Sequence, residues 1–308
     1  AKGVPSAVVE LASEILGTPP VGIDATMRKL DSHLPGHEYA KSIVDMALWD
    51  LFGQAAGLPL YALLGGRTHR DMPLYHSITC IGADDMARIA VEAHASGIRQ
   101  FQVKLGADAD WQADVERLAK VREAVGAGPL VYGDWNCGAS RLQATRTGRA
   151  VAHLDVMLEQ PCTSLEDCAA VREATGLPMK IDENAYNLAT LLRAHELGCI
   201  DAVALKLSKF GGLSAMRRAR DLCVHLGAQI CAECTWGSDI VTAAALHFAA
   251  STPENSLMNT CDLSSYVSPR LCADAPTRNE GRIAPPEGPG LGVAPDLEVL
   301  GTPILELA

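Results

Sequence analysis

The sequence predicts an α/β protein built as a closed barrel of the TIM type, and three observations carry that expectation. From Met72 onward, eight short apolar runs alternate with seven stretches of helical length. Five of these runs end in a charged residue at near-constant intervals: Lys104, Asp134, Glu159, Asp182 and Lys206 lie 30, 25, 23 and 24 residues apart. That interval suits one strand, one helix and their loops, since the crossover alone takes roughly a dozen residues or more. No run is followed by Gly-x-Gly-x-x-Gly, so a dinucleotide-binding doubly wound sheet is the weaker alternative.

Residues 1–70 read as helical. Ala7 to Leu16 is apolar with Glu10 and Glu14 on a polar side, and Pro19-Pro20 stops it. Ala25 to Leu34 is a short amphipathic piece with Asp24 placed to cap it. Ala40 to Ala56 follows, with Val44, Ala47, Leu48 and Leu51 at helical spacing, and a turn around Leu58 to Gly66 closes the region. The expected strands are 72–78, 100–104, 130–133, 156–159, 179–182, 202–206, 229–232 and 256–259. Helices are expected over 84–96, 110–125, 143–153, 165–175, 188–197, 213–226 and 239–250. Ser164 caps the fourth of these helices, and Gly126, Gly176, Gly198 and Gly227 fall just past helix ends, where a left-handed residue is wanted. The barrel thus occupies residues 71–274. Residues 275–308 are rich in Pro and Gly and read as an ordered wrap, with Val299-Leu300 and Pro303-Ile304-Leu305 as apolar anchors.

The chain has 308 residues, of which 48% are hydrophobic and 20% charged, as in an ordinary globular protein. Its 26 Lys+Arg against 37 Asp+Glu give a net charge of −11, which argues against a nucleic-acid surface. No apolar run approaches the roughly 18 residues of a membrane span, and no signal peptide opens the sequence, so a cytoplasmic location is expected. The ten cysteines sit mostly in apolar runs and read as buried thiols; Cys231-x-x-Cys234 has no second pair to make a zinc site.

Polar residues at the C-terminal ends of barrel strands point into the mouth where such proteins hold their active sites. Asp134, Glu159 and Asp182 offer hard oxygen donors from three successive strands, and oxygen-only ligation suits Mg²⁺. Lys104 and Lys206 flank them as bases. Burial beside a metal is expected to lower a lysine toward about 7–8, where it can take a proton from carbon. Lys209, beside Gly211-Gly212, is the fallback for Lys206, or else cradles backbone and balances charge.

These motifs resemble the mandelate racemase and muconate lactonizing enzyme group of the enolase superfamily, over nearly the whole chain. Phe101-Gln102-Val103-Lys104 is similar to that family's Lys-x-Lys motif, with Gln102 in place of the first lysine. Gly133-Asp134-Trp135-Asn136, Leu158-Glu159-Gln160-Pro161 and Ile181-Asp182-Glu183-Asn184 resemble its three metal-ligand segments. Lys206-Leu207-Ser208-Lys209-Phe210-Gly211-Gly212 resembles its Lys-x-x-Lys-x-Gly-Gly run. The resemblance implies a modified barrel with a partial N-terminal capping region, its strands absent here. It implies Mg²⁺ on Asp134, Glu159 and Asp182, and Lys104 and Lys206 on opposite faces of a small carboxylate substrate. It implies a homo-oligomer as well.

Glu233-Cys234-Thr235-Trp236-Gly237-Ser238-Asp239 resembles a segment of members that act on proline derivatives, with Cys234 where they carry Asp. Dehydration of cis-3-hydroxy-L-proline is the implied reaction; epimerisation of a proline betaine or racemisation of another amino-acid derivative is the rival. Gln102, Asn136, Glu183, Lys209, Glu233, Thr235, Trp236 and Asp262 are the residues expected to touch substrate or support the ligands, Trp236 facing a cationic ring nitrogen. A non-catalytic, metal-stabilised binding barrel is the alternative of another class, and it has no use for two opposed bases.

Overall fold

The computed structural model describes residues 3–17, 19–108, 110–235, 237–303 and 306. Helices α1 (Val4–Ser13), α2 (Ile23–His33), α3 (Glu38–Ala56) and the short α4 (Leu60–Leu63) form the N-terminal region. The barrel follows as β1 (Met72–Pro73), β2 (His76–Ile78), α5 (Ala83–Ala95), β3 (Gln100–Lys104), α6 (Trp111–Val125), β4 (Leu130–Asp134), α7 (Arg141–Val151) and β5 (Met157–Glu159). It continues as α8 (Leu165–Thr175), β6 (Met179–Ile181), α9 (Leu188–Glu196), β7 (Ala202–Lys206), α10 (Leu207–Phe210), α11 (Leu213–Leu226), β8 (Gln229–Glu233), α12 (Asp239–Ala250) and β9 (Leu257–Thr260). The C-terminal segment adds β10 (Arg282–Ile283) and α13 (Leu297–Leu300).

Strands β2 to β9 form one parallel eight-stranded sheet in sequence order. A parallel bridge from Leu74 to Thr260 draws its two edges together. All eight expected strands are present, with one correction: 72–78 is not a single strand. It breaks at Leu74-Tyr75, and Met72–Pro73 turns away to pair antiparallel with Arg282–Ile283. Asp24 does not cap α2 either. Gly22, at a φ of 73°, holds that position, and the Asp24 carboxylate pairs with Arg217 and Arg218 on α11 at 3.1 and 3.2 Å. Ser164 caps α8 as expected, its side chain accepting from the Asp167 N–H.

Strand alternation divides the apolar residues into two layers. Phe101, Val103, Val131, Leu158, Ile181, Val203, Leu205 and Ile230 join the large core between sheet and helices. The inner face carries a smaller cluster of Tyr132, Ala202, Cys231 and Met258, with Tyr75, Leu130 and Met157 packed against it. The barrel interior therefore has little apolar volume, and its upper level is polar. All ten cysteines are free.

The N-terminal helices lie against α10 and α11. Trp49 on α3 donates to Ser214 Oγ at 2.9 Å, and Asp45 accepts from the Ser214 N–H at 3.1 Å. The C-terminal segment crosses the same region: the backbones of Leu58, Leu60 and Gly290 exchange hydrogen bonds at 3.0 and 3.1 Å, and the Leu291 N–H donates to Asp50 at 2.7 Å. Val299 and Leu300 stand exposed on α13, contrary to the expectation that they anchor the tail; Leu291, which is buried, supplies the apolar hold. Ile304 and Leu305 lie outside the described residues.

Candidate active site

Register places the charged strand ends on one level. Lys104 faces Asp134 across β3–β4, Asp134 faces Glu159 across β4–β5, and Lys206 faces Glu233 across β7–β8. Asp182 follows directly on β6. Strands β3 and β7 are four positions apart in an eight-stranded ring, so Lys104 and Lys206 enter from opposite sides. Both line a cavity of about 330 Å³ together with Gln102, Asp182, Glu233, Thr235 and Asp262. A volume of that order holds a small organic molecule.

The three acids are buried. Glu159 Oε2 accepts from Gln102 at 2.8 Å, while its Oε1 lies 3.0 Å from Lys180 Nζ, outside hydrogen-bonding geometry. Burial first, and then the neighbouring Asp134 charge, push the Glu159 carboxyl up to about 8 against the pull of Lys180. Asp182 is also penalised by burial, but Lys206 and Lys209 outweigh this and hold it down at about 2. Lys104 donates to Asp134 and, at 3.0 Å, to Asn136 Oδ1. Lys206 donates to Asp182 Oδ2 at 2.6 Å and stands 3.8 Å from Glu233 Oε2.

The expected downward shift of Lys206 needs correction. For Lys206, burial disfavours the ammonium, yet the adjoining Asp182 and Glu233 charges prevail and the net shift is upward. Lys209 is shifted down, by burial and then by Lys206, despite Asp182. It does not line the cavity; it is spent on the Asp182 backbone carbonyl and, at 3.2 Å, on Asp182 Oδ1.

Three buried hard-oxygen donors on successive strands fit a small divalent cation in chemistry and charge. Among the described residues, no three acidic, His or Cys side chains stand as a closed cage. The outer two acids are instead turned onto lysines 104 and 206, whose ammonium groups supply the compensating charge.

The other expected residues are distributed around this centre. Asn136, at a φ of 45°, donates to Glu183 Oε1 at 3.1 Å and so ties the β4 and β6 loops together; burial and then Asp182 raise the Glu183 carboxyl. Thr235 shares a hydrogen bond with Ser208 at 2.7 Å and is met by Tyr39 of α3 at 3.5 Å, which brings the N-terminal region to the mouth. Asp262 lines the cavity, but its oxygens are occupied by the Ser265 N–H at 3.2 Å and by Arg278 at 2.8 Å. Trp236 lies outside the described residues.

Three residues at the site were not expected. Lys180 is fully buried on β6; its signal was a lysine two places before Asp182, which alternation puts on the same inward face. Tyr75 reaches Glu233 Oε2 at 3.4 Å from the break after β1, and Arg278 comes from the C-terminal segment. No strand pattern marks either position.

A parallel barrel with acids and lysines converging at the C-terminal ends of its strands is the architecture of a barrel enzyme. Residues 85–299 match the enolase C-terminal domain-like family, and residues 1–65 match the mandelate racemase / muconate lactonizing enzyme N-terminal domain. The chain belongs to the enolase superfamily, in the mandelate racemase / muconate lactonizing enzyme group.

It is 40% identical to a cis-3-hydroxy-L-proline dehydratase of Roseibium aggregatum, over 99% of this chain and 82% of that one. It is 30% identical to an N-succinyl-L-Arg/Lys racemase of Bacillus cereus, over 78% of this chain and 66% of that one. A superfamily member from Roseovarius nubinhibens ISM, solved in complex with magnesium, superposes with a TM-score of 0.94 at 34% identity, covering 99% of this chain and 83% of that one. No helix among the described residues is long and apolar enough to cross a membrane.

Proposed function

We infer that this enzyme is a Mg²⁺-dependent lyase that removes the α-proton of a carboxylate substrate and dehydrates cis-3-hydroxy-L-proline. The observation that carries the reading is the placement of Lys104 and Lys206 on opposite walls of one cavity, with Asp134, Glu159 and Asp182 on the strands between them. The 40%-identical dehydratase supports the choice of substrate.

In this reading Asp134, Glu159 and Asp182 hold the cation, with Gln102 orienting Glu159 and Lys209 orienting Asp182. The Mg²⁺, when bound, supplies positive charge where the substrate carboxylate gains electron density and offsets the hold of Asp182 on Lys206. One lysine takes the α-proton to give the enediolate, and the opposite lysine lies on the other face of that carbon. Loss of the 3-hydroxyl with a proton from an ammonium completes the dehydration. Glu233, on the cavity wall, faces the ring nitrogen of the substrate.

Paired lysines also suit racemisation or epimerisation, in which the second lysine returns the proton to carbon; the racemase relative supports this second reading. Incubating proline and hydroxyproline derivatives in deuterated water with Mg²⁺ separates the two. Dehydration predicts loss of water from cis-3-hydroxy-L-proline. Deuterium in recovered substrate with no loss of water would favour epimerisation. Neither event with any compound would sink both readings.

A further inference from the structure

Lys180 occupies the centre of the barrel, directly beneath the site. Its side chain is fully buried, with Nζ 3.0 Å from Glu159 Oε1 and 2.9 Å from Glu233 Oε1. Aromatic faces cover part of the remaining side of the ammonium, 4.8 Å from the Tyr132 ring centroid and 5.6 Å from that of Tyr75, and Cys231 stands beside it. Such a cation is shut off from solvent. It bridges strands β5 and β8, which lie three apart in the sheet.

The second oxygen of each bridged acid meets side chains that line the cavity. Glu159 Oε2 meets Gln102, and Glu233 Oε2 lies between Tyr75 at 3.4 Å and Lys206 at 3.8 Å. Fixing one oxygen of a carboxylate fixes the direction of the other. Removing the bridge would also leave two buried carboxylates without their shared counter-charge.

We propose that Lys180 is a positioning residue that sets the metal-holding acid Glu159 and the substrate-facing acid Glu233 from a single buried ammonium, so that the metal half and the substrate half of the site are aligned together. It is not a proton-transfer group, because it does not line the cavity. The inference rests on the roles proposed above for Glu159 and Glu233.

The test compares wild type, Lys180→Met and Glu233→Gln by two measurements: the Mg²⁺ concentration that half-saturates the rise in thermal midpoint, and the steady-state KM and kcat. Lys180→Met is expected to weaken both the Mg²⁺ midpoint and KM by tenfold or more, whereas Glu233→Gln raises KM and leaves the Mg²⁺ midpoint within threefold. A merely structural lysine would lower the amount of active protein and so kcat, with KM and the Mg²⁺ midpoint unchanged; that result overturns the proposal.

Should Lys180→Met fail to fold, Lys180→Met/Glu233→Gln restores the net charge of the cluster. It is expected to fold with a weakened Mg²⁺ midpoint, and a wild-type midpoint there also overturns the proposal. A wild type that shows neither a Mg²⁺-dependent midpoint nor turnover refutes the underlying reading instead, which keeps the two failures apart.

Discussion

Lys206 and Lys209 sit one helical turn apart and contact the same aspartate, yet their surroundings assign them different work. Lys206 opens on the cavity, while Lys209 is bound to the backbone and side chain of Asp182. Lys206→Ala is therefore expected to lower kcat by about 10³-fold or more, within the usual range for loss of a general base. Lys209 still faces Asp182 in that variant, so its thermal midpoint should stay close to wild type. Lys209→Ala should act through Asp182 instead, raising the Mg²⁺ requirement while leaving part of kcat. If Lys206→Ala retains full turnover in a steady-state assay, the base lies elsewhere.

At the scale of elements, the turn from α10 into α11 fits tightly against the N-terminal helix α3. Gly212 has a φ of 117°, and a Cβ there would fall 2.3 Å from Asp45 Oδ2 and 2.5 Å from Asp45 Cβ. Gly176, at the end of α8, also has a positive φ of 70°, but nothing lies within 4 Å of its added Cβ. Gly176→Ala should cost about 1 kcal/mol, the left-handed penalty alone. Gly212→Ala adds the collision with a buried side chain and should cost roughly 3 kcal/mol. Urea denaturation of both variants checks the contrast, and equal costs would mean that α3 shifts freely against α11.

The same scale explains what could be read in advance. Strands ending in Lys104, Asp134, Glu159, Asp182 and Lys206 were legible because a parallel barrel repeats one unit, and a charge closing an apolar run stands out. Their common level then follows from register. The break at Leu74-Tyr75 was not legible, since it is imposed by pairing with Arg282–Ile283, far along the chain; the Asp71–Arg282 contact beside it joins residues 211 positions apart. Tyr39 and Arg278 reach the mouth from outside the repeat for the same reason. Lys180 was hidden differently: a lysine in mid-strand reads as an edge or surface group until its two buried acidic partners are known. The upward shift of Lys206 was missed because burial alone predicts the opposite sign, and only the distances to Asp182 and Glu233 decide it.

Across the whole molecule, two buried titratable groups hold the N- and C-terminal segments to the barrel, and they respond to pH in opposite directions. Asp45 on α3 is pushed up to about 6, chiefly by burial, against its hydrogen bonds from Ser214. His247 on α12 is pushed down to about 4 by burial; its ring contacts the Tyr61 N–H at 3.3 Å and the Leu291 carbonyl at 3.0 Å, which suits the neutral form. Because the Asp45 carboxyl binds its proton more tightly in the folded chain, its contribution is fully present below about pH 4 and is lost as pH rises through about 6. Because His247 binds its proton more weakly in the folded chain, its contribution is fully present above about 6.5 and is lost as pH falls through about 4. Each shift is worth roughly 3 kcal/mol at about 1.4 kcal/mol per unit, so the two nearly cancel between pH 4 and 6.5. Replacing one group should uncover the slope of the other. Relative to wild type, Asp45→Asn is expected to gain stability as pH rises from 4 to 6.5, and His247→Gln to lose it over the same interval. Denaturant midpoints of the three proteins at pH 4.0, 5.0, 6.0 and 7.0 give the differences directly, with every other titrating group common to all three. Parallel curves would show that neither group changes its affinity for protons on folding, and slopes of the same sign would rule out opposed clamps at this seam.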